Sequence, residues 1–147
     1  MKFRTHAFTL IELLLVIVIL AILAGIVIVA INPARQVAQA NNAQRESDVR
    51  ALLDAVHEYT IDQRGVFPST ITATATVIGS GAGQVNLCSL LVPTFLVEMP
   101  FDPNATGASY TDCTNYNTQY TISIDANNRV TLAAPQAELS ETISISR

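Results

Sequence analysis

The 147-residue chain is half hydrophobic and only 14% charged, with a formal net charge of −4 at pH 7. That length suits one globular domain plus an extension. Its few basic residues are scattered, which excludes a broad nucleic-acid-binding surface built on clustered Lys and Arg.

The apolar excess is concentrated near the N-terminus. From residue 13 to residue 31 every side chain is apolar or Gly, and going back to Phe8 adds only Thr9 and Glu12 as polar interruptions. Such a run reaches across a hydrocarbon core of about 30 Å at about 1.5 Å per helical residue. It exceeds the apolar core of a secretory signal peptide, and it continues through the Ala24-Gly25 pair that resembles a cleavage site. Lys2 and Arg4 precede it. A positive flank stays on the cytoplasmic side, so the pattern predicts a single-pass precursor with its N-terminus inside. A plain anchor leaves Glu12 unexplained, because a carboxylate within a spanning helix is costly and is usually paired.

The segment Ala7-Phe8-Thr9-Leu10-Ile11-Glu12-Leu13 follows a short basic leader and opens the apolar run. It resembles the processing site of type IV prepilins and pseudopilins. The resemblance implies that a dedicated membrane peptidase cuts between Ala7 and Phe8 and that Phe8 becomes an N-methylated first residue. Glu12 then becomes the fifth residue of the mature chain, where the family places its carboxylate. Ala7 stands where the family usually has Gly; as the next smallest residue it predicts cleavage at a lower rate.

The implied function is that of a structural subunit, with no enzymatic activity. It forms an extracellular type IV pilus-like filament, a homopolymer built through the N-terminal helix. Prepilin peptidase and an assembly platform in the inner membrane are the implied partners, and the product is a cell-surface or periplasmic filament. The alternatives are the major pseudopilin of a type II secretion system and a membrane-anchored binding module that never polymerises.

The chemistry of Glu12 supports a role in assembly on independent grounds. Cleavage creates an ammonium at Phe8, one helical turn from Glu12, and neither charge is stable alone in an apolar medium. Pairing the carboxylate of one subunit with the ammonium of a neighbour neutralises both, whereas a subunit out of register leaves one unpaired. An intramolecular pair in a lone anchor is the simpler alternative.

Beyond the apolar run, Val49, Leu52, Leu53, Val56 and Tyr59 recur at helical spacing, with Arg45, Asp48, Arg50, Asp54 and Asp62 interleaved. The helix is therefore expected to run from about Phe8 to about Arg64 and to stop at Gly65. Gly25 and Pro33 are the expected kink positions, because Pro removes a backbone hydrogen bond and clashes with the preceding turn. The alternative at Asn32-Pro33 is a helix end followed by a second helix starting at Pro33.

Residues 66–147 turn to Thr, Ser, Asn, Gly and Pro between β-branched residues. A strand is expected over residues 71–78, then a flexible Gly-rich loop, then a short helical or irregular stretch. That stretch ends in Met99-Pro100-Phe101-Asp102-Pro103, which resembles a turn of pilin-like heads. Tyr116, Thr118, Tyr120, Ile122 and Ile124 alternate along a second strand, Ala126-Asn127-Asn128 turns it back, and a final strand is expected over residues 142–146. Cys88 and Cys113 form an expected disulfide outside the membrane, closing a loop worth roughly 3 kcal/mol in the chain-entropy picture.

The predicted fold is thus α+β: a long N-terminal helix, transmembrane in its first half and amphipathic in its second, with a small antiparallel β-sheet head. The expected divisions are a leader (1–7), an assembly helix (8–32), an amphipathic helix packed on the head (33–65) and the head (66–147). No cofactor and no metal site is expected. His57 has no ligand partner near it and reads as an exposed helix position. Asp102, Asp112 and Asp125 match no calcium loop and read as turn acids. Asn104-Ala105-Thr106 fits a glycosylation sequon, a match that short sequences often make by chance.

Overall fold

The computed structural model describes residues 8–147. Lys2, Arg4 and Ala7 lie outside the described residues, as does the leader side of the expected cleavage point.

Helix α1 spans Leu10–Ile31 and passes through Gly25 without a break. It ends because Asn32 adopts a left-handed conformation, φ 47° and ψ 77°, which Asn tolerates better than most residues. Pro33 disfavours a right-handed helical residue before it, and as the first residue of α2 it sacrifices no needed donor. Asn32 then caps the new helix: its Oδ1 and its carbonyl accept the Arg35 N–H at 3.3 and 3.1 Å. Two helices meet here in place of one kinked helix.

Helix α2 spans Pro33–Asp62. Past its end Arg64 and Gly65 take positive φ of 56° and 92°, and the Gly65 N–H returns to the Thr60 carbonyl at 2.7 Å. The buried face of α2 carries Val49, Leu52, Leu53 and Val56, but it extends back through Ala38, Asn42 and Arg45 at the same helical spacing. Arg45 and Asp48, which interleave with the stripe in sequence, are therefore buried in the structure. Spacing places a residue on a face whatever its polarity, and these two find partners there. Tyr59 sits at the margin, partly buried and edge-on to Phe95.

The remaining elements are β1 (Thr76–Gly79), α3 (Cys88–Leu91), β2 (Ser109–Asp112), β3 (Asn115–Ile124), β4 (Val130–Ala134) and β5 (Ile143–Ser146). The sheet order is β1-β3-β4-β5, with β2 also paired to β3, and all pairings are antiparallel. Strand β3 buries Tyr116, Thr118, Tyr120 and Ile122 on one side. The first strand begins at Thr76, later than its sequence pattern suggests. Strand β2 has no pattern to announce it, since three of its four residues are exposed.

The core joins the apolar face of α2 to Ile78, Leu87, Leu91, Met99, Tyr120, Ile122 and Leu132. Ala38–Arg147 forms one compact unit, and the described residues up to Val37 form another.

Candidate assembly helix and the polar clamp of the head

Thr9 begins α1 in an extended conformation, φ −79° and ψ 152°, and makes a reciprocal capping box with Glu12. The Thr9 N–H and hydroxyl donate to the Glu12 carboxylate at 2.8 and 2.7 Å, and the Thr9 hydroxyl oxygen accepts the Glu12 N–H at 3.3 Å. The carboxylate thus occupies the first turn, where backbone N–H groups lack helical partners and the helix dipole favours negative charge. Glu12 is the sole charged side chain between Phe8 and Ile31. Thr9 had a readable signal, the Thr-x-x-Glu spacing of a capping box ahead of an apolar run.

The span Leu10–Ile28 is long and apolar enough to cross a membrane, and none of it is buried within the chain. Phe8 is 81% exposed and the apolar side chains of the span are likewise open. Leaving so much apolar surface in water is strongly unfavourable, so this helix requires lipid or protein around it.

Residues 2–28 match the family described as the prokaryotic N-terminal methylation motif. The chain carries a prepilin-type N-terminal motif. That prepilin-type motif is characteristic of type IV pilin and pseudopilin precursors, a family of structural subunits. It accounts for the apolar helix and its lone acid in one unit. No curated protein and no solved structure matches the chain, so the match to the motif assigns nothing beyond residue 28.

The head is closed by polar groups that the motif does not cover. Arg45 donates to both oxygens of Asp102, from Nε at 2.7 Å and from Nη2 at 3.0 Å, and its Nη1 reaches Asn42 Oδ1 and Glu138, each at 2.9 Å. Burial works against the Asp102 charge, but the Arg45 guanidinium and the Asn104 and Ala105 N–H groups hold its carboxyl below the usual range. Asp102 therefore serves as the counter-ion of a buried arginine and caps its own turn. Next to this pair, Asp48 accepts the Tyr120 hydroxyl at 2.8 Å and the Gln44 amide at 2.7 Å. Burial pushes the Asp48 carboxyl up.

Cys88 and Cys113 form a disulfide that ties α3 to the β2–β3 turn. The buried Tyr116 hydroxyl beside it accepts the Leu87 and Cys88 N–H groups at 3.0 and 3.1 Å and donates to Asn86 Oδ1 at 3.0 Å. Asp112 and Asp125 cap their own turns through the N–H groups of Thr114 and Asn115 and of Asn127 and Arg129. His57 differs from its expected surface role: it is half-buried, edge-on to Phe67, and its Nε2 has no hydrogen-bond partner among the described residues.

Proposed function

We propose that this chain is the subunit of an extracellular type IV pilus-like filament. Its leader is removed between Ala7 and Phe8, Phe8 is N-methylated, and the mature chain polymerises through α1. The observation that carries the reading is an apolar helix exposed along its length that starts with a single carboxylate, Glu12. In the precursor, lipid covers that surface, and Lys2 and Arg4 hold the N-terminus on the cytoplasmic side. In the filament, the same helices from neighbouring copies cover it.

Glu12 then selects the register. Its carboxylate meets the ammonium of a neighbour's Phe8, and any slip leaves a buried charge unpaired. Prepilin peptidase and an inner-membrane assembly platform are the partners this route requires.

The test is an immunoblot of sheared cell-surface material joined to mass spectrometry of its N-terminus. A polymer whose subunits begin at N-methylated Phe8 is the expected result. Sheared material retaining Met1, or a chain confined to the membrane fraction, overturns the reading.

A further inference from the structure

Two patches of the Ala38–Arg147 unit are left without partners in their own chain. Five large apolar side chains of this unit stand open, and four of them fall into two pairs, Ile61 with Val66 and Val97 with Phe101. Each pair flanks one unpaired charge. Arg64 lies between Ile61 and Val66 in the turn that ends α2, its N–H donating to the Ile61 carbonyl at 3.1 Å. The unit's other arginines all have carboxylate partners: Arg45 on Asp102, Arg50 on Glu46, Arg129 on Asp125 and Arg147 on Asp54. Arg64 is thus the sole free arginine of this unit, and the chain's single lysine is Lys2.

The second patch carries the opposite sign. Glu98 lies between Val97 and Phe101 and enters none of the described ion pairs. With Gln44, Asp48 and Phe101 it lines a cavity of about 330 Å³. Both Asp48 oxygens are already taken, by Gln44 and Tyr120, so Glu98 is the acid left open there. No cation lines the cavity. A free carboxylate beside an aromatic ring and an apolar rim suits an arginine, whose guanidinium pairs with the acid and stacks on the ring while its stem covers apolar surface.

The same chain's Arg64 cannot fill this cavity. Asp48 on its wall and Asp62 at the end of α2 are 14 positions apart on one helix. At about 1.5 Å per residue that is about 21 Å, well beyond an arginine side chain. We propose that Arg64 of one copy docks in the Glu98–Phe101 cavity of the next, with Ile61 and Val66 set against Val97 and Phe101; this rests on the filament reading above. Two unlike patches that fit each other leave one of each free at the ends, so further copies add to the contact.

The experiment is a charge swap in full-length chains expressed in cells. Arg64→Glu and Glu98→Arg each set like charges against each other, and each should lower sheared filament about tenfold. The double variant restores opposite charges between copies and should return filament to near the wild-type amount. A fold defect at one position is not repaired by a charge change about 20 Å away, so rescue reads the contact between copies. A photo-crosslinking amino acid at position 64 should give a band at twice the subunit mass, with the bond mapping to residues 97–101 of the second copy. Single variants with undiminished filament, or a double variant no better than the singles, overturn this inference alone. So does a crosslink to another protein or to another face of the chain. A wild type that makes no polymer overturns the filament reading and this one together.

Discussion

Arg45 on α2 and Asp102 in the Pro100-Phe101-Asp102-Pro103 turn form a two-pronged ion pair, with 1% and 0% of their side chains exposed. The pair fastens the middle of the chain to the helix at a point where neither charge can reach water. Burying two ions is expensive, and their attraction offsets it only while the geometry and the surrounding hydrogen bonds are complete. Here Asn42, Glu138 and two backbone N–H groups complete them.

Breaking the pair from one side should be severe. Arg45→Met leaves the Asp102 carboxylate buried without its cation and should cost about 3–5 kcal/mol in denaturant unfolding. The double change Arg45→Met with Asp102→Leu should recover much of that loss. A double variant as unstable as the single one would show that packing around Arg45, and not its charge, carries the stability.

Acid should act through the same residues. Asp102 and Glu138 both titrate below their usual range in the folded chain, Asp102 against its burial and Glu138 through its Arg45 hydrogen bond. Groups with depressed folded values stabilise above the unfolded value, about 3.9 for Asp, and lose that contribution as the pH falls through the folded value. Asp48 has the opposite sign, because its raised folded value makes its ionised form oppose folding at neutral pH. The melting temperature should therefore drop below about pH 4. In Asp102→Asn the drop should be shallower from a lower starting point; an unchanged slope would remove Asp102 from the account.

Glu12 has two separable roles, helix cap and charge. Glu12→Gln keeps a side-chain oxygen for the Thr9 N–H and removes the charge. Membrane insertion should be unaffected, while sheared filament should fall at least tenfold, as it should in Glu12→Ala. Normal filament from Glu12→Gln would leave the cap as the whole role of this residue and end the register hypothesis.

The Cys88–Cys113 bond closes a loop with a sequence separation of 25. Replacing both residues by Ser should cost roughly 3 kcal/mol. The effect should appear as a lower melting temperature that dithiothreitol no longer alters, whereas dithiothreitol should lower that of the wild type.

The N-terminal half of the chain was written in local pattern. A run of apolar residues and Phe8-Thr9-Leu10-Ile11-Glu12 sit next to one another in sequence, and helical geometry needs nothing else to make them a helix long and apolar enough to cross a membrane, with an acid in its first turn. The alternation of Tyr116, Thr118, Tyr120 and Ile122 likewise declared the central strand, because side chains on a strand change faces with period two. Asn32-Pro33 offered either a kink or a fresh start, and the left-handed Asn32 decided for two helices. Only the tertiary structure revealed the rest. Arg45 and Asp102 are 57 positions apart, and Asn42 and Glu138 are 96 apart. Periodicity assigns a residue to a face without naming what covers that face, so a buried arginine paired with Asp102 and Glu138 emerges only when distant segments are brought together.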